Sequence, residues 1–159
     1  MANPMYGQNK YDNALDMGKC SVDFTAVSKT LTAAESGLNL FVNLAADTTI
    51  TLPAAAEGLT YKIVVAKTGG SYDLEIASPS ADNYFYGGLT HNDSDADDVS
   101  VASDYDSNDF CTILVAQPGS YVELYCDGTI WYVHGNATSA TAPAFGDNGY
   151  KSRFNIRPY

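Results

Sequence analysis

The chain has 159 residues and a formal net charge of −11, with eight Lys and Arg against nineteen Asp and Glu. A chain of this length buries roughly 70 % of its unfolded surface, enough for one domain that needs neither disulfide nor metal to stay folded. The charge argues against nucleic acid and against an anionic membrane surface as partners, because an acidic protein is repelled by both.

Helix formers are scarce: Glu stands only at Glu35, Glu57, Glu75 and Glu123, whereas Tyr occurs twelve times. β-branched and aromatic residues suit a pleated, half-buried surface, and Gly, Asp, Asn and Ser suit turns. Composition therefore predicts an all-β fold.

Residues 1–19 read as an N-terminal arm. Asn3-Pro4 and Tyr6-Gly7 break regular structure, and no apolar core of a secretory signal is present there. No run of apolar residues approaches the ~18 needed to span a bilayer. Residues 20–135 carry the strand patterns of a single β domain. Leu38–Leu44 is a strong strand, and residues 48–52 alternate with Ile50 and Leu52 inward until Pro53 stops them. Residues 60–66 form the next strand, closed by Gly69-Gly70, and residues 73–77 alternate again with Leu74 and Ile76 inward.

Residues 81–109 read as a long acidic surface excursion, with eight Asp and no Lys or Arg; only the stretches 84–86 and 99–101 have strand character. Residues 110–116 resume the pattern, Gln117-Pro118-Gly119 makes a turn, and residues 120–125 place Val122 and Leu124 on one face. Asp127-Gly128 is the best hairpin signal, predicting a turn with positive φ at both central positions, and residues 129–134 return. Residues 136–143 read as a linker. About ten short strands with turn signals at regular spacing predict an antiparallel sandwich or jelly-roll-like barrel with extended terminal arms. No fixed-period repeat is visible, which argues against a solenoid.

Three cysteines, Cys20, Cys111 and Cys126, form no CxxC pair and have no His at ligand spacing. They read as reduced, mostly buried thiols of a protein made in a cytosol, with a Cys111–Cys126 bridge across neighbouring strands as the alternative. Asp93, Asp95 and Asp97 are weak calcium candidates. Counting Asp93 as the first position of an EF-hand loop puts Asp98 where glycine must turn and Asp104 where a bidentate Glu is needed, so a solvated acidic loop competes with that reading. The only histidines, His91 and His134, lack a nucleophile-base-orienter pattern, although Cys126 and His134 fall on consecutive hairpin strands. No enzymatic activity and no cofactor are expected.

The functional signal lies in aromatic residues. Tyr72, Tyr84, Phe85, Tyr86, Tyr105, Tyr121 and Tyr125 exceed the needs of one small core, and tyrosine suits interfaces because its ring is apolar and its hydroxyl can stay wet. The C-terminal arm alternates Lys151, Arg153 and Arg157 with Tyr150, Phe154, Ile156 and Tyr159, the one basic stretch of an acidic chain. With Tyr6 and Tyr11 of the other arm, these are the candidate interface residues, since arginine and aromatics dominate interface energetics.

Residues 30–37 (TLTAAESG), 48–53 (TTITLP) and 58–63 (GLTYKI), closed by 119–124 (GSYVEL) and 127–132 (DGTIWY), resemble in their order a module of tailed-phage structural proteins. Met1 to Asn13 also looks like the start of small virion proteins of marine phages. The resemblance covers residues 30–135 and implies a non-enzymatic bacteriophage virion protein, made in the host cytoplasm. The first expectation is a capsid decoration (cement) protein on the outer head surface, held by the major capsid protein and by copies of itself as a homotrimer. The alternative is a receptor- or glycan-binding module of a tail or fibre, with rings such as Tyr84, Tyr86 and Trp131 stacking on sugars. A cell-surface hydrolase is the remote third option.

Overall fold

A computed structural model describes residues 21–80, 84–92, 99–104 and 107–147. Its strands, in chain order, are β1 (Ser21–Thr25), β2 (Lys29–Thr30), β3 (Leu38–Leu44), β4 (Thr48–Thr51), β5 (Glu57–Thr68), β6 (Leu74–Ala77), β7 (Phe85–Asn92), β8 (Val99–Ala102), β9 (Phe110–Ile113), β10 (Tyr121–Asp127), β11 (Trp131–Thr138) and β12 (Ala144–Gly146). Period-2 alternation becomes alternation in burial. β3 reads buried and half-buried in strict turn, and in β5 Leu59, Tyr61, Ile63 and Val65 go inward while Thr60, Lys62 and Val64 do not.

The strands form two sheets, a seven-stranded one in the order β1-β3-β5-β10-β11-β7-β8 and a five-stranded one in the order β12-β9-β6-β4-β2. Inward side chains of both build one core, with Leu40, Ile50, Leu52, Ile63, Leu74, Ile76, Leu124 and Trp131 fully buried. The all-β sandwich expected from composition is present. Its sheets are mixed, however: five of the ten strand pairings are parallel, so the pairings do not trace an antiparallel jelly roll.

Four of the five parallel pairings come from winding. From β1 to β6 the chain crosses between the sheets at every connection, so β1, β3 and β5 are parallel neighbours in one sheet and β2, β4 and β6 in the other. Residues 21–77 thus make three coils of a two-sided parallel spiral, which the sequence did not predict. Ser21 lies beside Leu38 and Leu38 beside Tyr61, offsets of 17 and 23 residues; Lys29 lies beside Ile50 and Thr48 beside Leu74, offsets of 21 and 26. Unequal coils leave no fixed period to find.

Residues 30–37 perform a definite task in this winding. A one-turn 3-10 helix, Ala33–Glu35, bends the chain from β2 into β3. The Glu35 carboxylate accepts hydrogen bonds from the Thr32 amide and hydroxyl, both 2.8 Å. The turn is then stitched to β5: the Gly37 amide donates to the Thr60 carbonyl (2.7 Å), the Thr60 amide to Ser36 Oγ (3.1 Å), and the Tyr61 hydroxyl to the Thr32 carbonyl (2.8 Å). Gly37 takes φ +86°, the left-handed conformation for which glycine carries no Cβ penalty.

Beyond β6 the described parts of the acidic stretch are built into the sandwich rather than forming an excursion. β7 and β8 pair at one edge of the larger sheet, with Phe85, Leu89 and His91 buried. Ser103, Asn108 and Asp109 are buried as well, and Asp104 Oδ1 accepts from the amides of Ser107 and Asn108, both at 3.3 Å. Residues 136–143 are not a linker either: β11 runs to Thr138, Ala137, Ser139 and Pro143 are buried, and β12 pairs with β9. Gln117 to Ser120 closes as expected, the Ser120 amide reaching the Gln117 carbonyl at 3.1 Å with Gly119 at φ +93°. In the β10–β11 hairpin only Gly128 takes a positive φ (+108°), the sign pattern of a II′ turn, and the Asp127 carboxylate caps the loop instead of its backbone adopting positive φ.

Gly87 combines φ +115° with a close approach, since an added Cβ would lie 2.2 Å from the Val133 carbonyl oxygen; at Gly119 the φ is also positive but nothing lies within 4 Å. Gly119→Ala is expected to cost about 1 kcal/mol from backbone strain alone. Gly87→Ala adds a backbone collision and is expected to cost at least ~2 kcal/mol more. Chemical denaturation of the two variants measures the difference.

Candidate functional site

Register places the outward residues of the larger sheet in rows. Thr60, Tyr125, Tyr132 and Tyr86 form one row across β5, β10, β11 and β7; Asn39, Lys62, Glu123 and His134 form the next across β3, β5, β10 and β11. These side chains face out because their neighbours along each strand, Tyr61, Leu124, Val133 and Phe85 among them, fill the core. Tyr125 is 45 % and Tyr132 40 % exposed, among the most exposed large apolar side chains described.

The rings are held. Tyr132 meets Tyr86 edge-on, with centroids 6.1 Å apart, and donates its hydroxyl to Asp127 Oδ2 at 3.1 Å. Asp127 Oδ1 accepts the amides of Thr129 and Ile130 at 2.9 Å each. Those amides, that of Ile130 foremost, hold the Asp127 carboxyl below its ordinary range, and the hydrogen bond to Asp127, then its charge, raises the Tyr132 phenol. Tyr125 packs against the His134 ring at 6.4 Å. Lys62 Nζ binds Glu123 Oε1 at 2.7 Å and lies 4.7 Å from the centre of the Tyr121 ring, and the Glu123 bond raises the Lys62 pKa. Alongside runs a groove of about 300 Å³ lined by Gly37, Asn39, Thr60, Lys62, Glu123 and Tyr125, with Leu38 and Tyr61 at its floor.

A second surface lies at the open end of the spiral. β1 and β2 are the edge strands of their sheets on the same side, and Val22 (54 %), Phe24 (63 %) and Val27 (69 %) are exposed there, with Phe24 stacked on Phe41 at 5.3 Å. Lys29 ties this end together, 2.5 Å from Asp23 and 2.8 Å from Glu35. Its bonds lower the pKa values of both carboxyls, and theirs raise that of Lys29.

Several residues singled out in the sequence stand elsewhere. Trp131 and Phe85 are fully buried and cannot stack on a ligand; Tyr72, Tyr84, Tyr86 and Tyr121 are half-buried. Tyr132, not singled out, takes the outward place. Alternation finds it once the phase of β11 is known, because Trp131 and Val133 flank it inward. Cys111 and Cys126 are free, buried and in different sheets, so they are not on neighbouring strands; burial pushes the Cys111 thiol up. Cys126 faces the core and His134 solvent, so these two do not meet. His91 is buried with Nε2 2.9 Å from the Ser139 carbonyl oxygen, a packing role. Among the described residues no three His, Cys, Asp or Glu side chains converge as metal ligands, and no helix is long and apolar enough to cross a membrane. Asp93, Asp95 and Asp97, Tyr105, Cys20, Tyr6 and Tyr11, and Tyr150, Lys151, Arg153, Phe154, Ile156, Arg157 and Tyr159 lie outside the described residues.

The Lys29 cluster sets a pH dependence. Asp23 and Glu35 have lowered folded-state values, so their contribution is present above the ordinary carboxylate range, near pH ~4, and is lost as pH falls through the lowered values. Lys29 is raised, so its contribution is complete below about pH 10.4 and is lost as pH rises through the raised value. The stability difference between the wild type and Lys29→Met is therefore expected to be flat near neutrality and to shrink at both extremes. Urea denaturation at pH 2.5, 7 and 11 checks this.

Comparison of the chain with protein-family models, curated proteins and solved structures finds no match.

Proposed function

We propose that this chain is a non-enzymatic structural protein of a bacteriophage particle, a decoration protein that sits on the outer head shell against the major capsid protein and copies of itself. The resemblance of residues 30–135 to tailed-phage structural modules supports the reading, and one structural observation carries it. Among the described residues the first coil of the spiral ends in two strand edges without a partner, β1 with exposed Val22 and Phe24 and β2, joined by a connection with exposed Val27. Open strand edges with apolar side chains are usually blunted or covered in proteins that stay alone, and the ends of stacked β architectures need a cap. On a particle, the shell or a second copy supplies that cover. The trimer and the anchoring role of the basic C-terminal arm belong to the same proposal.

The second reading, a glycan-binding module of a tail or fibre, is favoured by the row of Tyr125 and Tyr132 on the outer sheet face.

Quantitative mass spectrometry of purified particles tests the first reading: hundreds of copies per particle are expected on a shell, a few dozen or fewer on a tail. Purified wild-type chain is expected to bind shells that lack it, and Val22→Asp with Phe24→Lys to bind at least tenfold more weakly with an unchanged fold. Absence from particles, or equal binding by both chains, defeats the proposal.

A further inference from the structure

We infer that Tyr125, Tyr132 and the adjoining groove form a binding site for a neutral oligosaccharide, one pyranose ring lying on the tyrosines while its hydroxyls reach Asn39, Thr60, Lys62 and Glu123. The inference goes beyond the decoration reading and holds whether the chain stands on a head or a tail.

The first ground is order. Exposed aromatic rings are common and need no ligand to explain them. These two differ because each is fixed from the side and open on top. Tyr132 is tethered through its hydroxyl to Asp127, itself held by two backbone amides, and is buttressed edge-on by Tyr86. Tyr125 is buttressed by His134. Rings already ordered lose little conformational freedom on binding, so more of the contact energy appears as affinity.

The second ground is what lies beside the rings. The groove is of about 300 Å³, at the lower end for small-molecule sites, and it shares Tyr125 with the row. Around one apolar ring it collects a side-chain amide, a hydroxyl, an ammonium and a carboxylate. An apolar ligand would strip water from these groups and give nothing back. A pyranose presents an apolar C–H face to a ring and hydroxyls, each both donor and acceptor, around its rim, which matches this mixture.

Charge selects within that class. The chain carries −11, Glu123 and Asp127 border the site, and Lys62 is already matched by Glu123 at 2.7 Å. A sulfated, phosphorylated or sialylated sugar would meet net repulsion, so the ligand is uncharged. The Glu123–Lys62 pair would then serve as an acceptor and donor fixed relative to one another.

The test is a glycan array probed with the full chain, carrying neutral hexose and N-acetylhexosamine oligosaccharides beside sialylated and sulfated ones, followed by calorimetric titration of the best neutral oligosaccharide. Wild-type chain is expected to bind at least one neutral oligosaccharide with a Kd of 1 mM order or tighter, about −4 kcal/mol. Tyr125→Ala and Tyr132→Ala are each expected to weaken binding about tenfold, as for the loss of one ring contact. Glu123→Gln, which keeps shape, is expected to weaken it severalfold, and Phe24→Lys, at the open end of the spiral, to leave it unchanged. No binding by wild type, binding confined to anionic glycans, or unaltered binding by the Tyr125→Ala, Tyr132→Ala double variant would each overturn the inference. So would a double variant that loses attachment to particles while no free glycan is bound, because the face would then be a protein interface. Failure here with intact Val22- and Phe24-dependent shell binding leaves the decoration reading standing.

Discussion

The fold depends on the insertion of the β10–β11 hairpin between β5 and β7. Without it the larger sheet would be two fragments, β1-β3-β5 and β7-β8, each with an open inner edge. The hairpin closes both gaps, antiparallel to β5 on one side and parallel to β7 on the other. It also supplies Val122, Leu124, Cys126, Trp131, Val133 and Ala137 to the core, with the Trp131 ring 6.0 Å from that of Tyr61. Burying an indole of this size contributes a large share of what holds a small sandwich together. The same insertion makes the outer face: Tyr125 and Tyr132 exist as a row because their strands are adjacent and in register, and Glu123 reaches Lys62 for the same reason.

Close approach of these strands is bought with small residues. Gly135 has the Tyr121 carbonyl oxygen 2.1 Å from where a Cβ would lie, and Gly88 has the Val101 carbonyl oxygen at 2.5 Å. Glycines thus mark where β7, β8, β10 and β11 crowd one another. Packing density below the sheet and display above it are set by the same alternation, since each strand residue can face only one way.

What the sequence revealed followed from how local each signal is. Leu38–Leu44 and residues 48–52 were legible because alternation is a property of neighbours along one strand, as were the turns at Gly119 and Gly128. The spiral was not, because parallel pairing depends on partners 17 to 26 residues apart and the coils differ in length. β7 was obscured by Gly87-Gly88 between Phe85 and Leu89, and β12 by its three residues. The buried Asp109 was hidden among acidic neighbours, since composition cannot say which carboxylate a loop will turn inward. Of the outer face, Tyr125 could be picked out by count alone, whereas its pairing with Tyr132 and the groove beside it required register. Trp131 reads equally as a display residue in the sequence, because a large aromatic near a turn carries no mark of direction until its strand phase is known.

The placement of β10 and β11 has a consequence for the chain while it is being made. Synthesis runs from the N-terminus, so β5 and β7 emerge long before residues 121–138 that belong between them. Until those residues leave the ribosome, the inner edge of the spiral and the inner edge of β7 have no partner, and both present a ladder of free amides and carbonyls. Such edges pair readily with other chains, and long-range strand pairing is slow in any case. The nascent protein is therefore most prone to association in the interval between completing β7 and completing β11, and a polysome crowded with identical chains is where a swapped hairpin would arise.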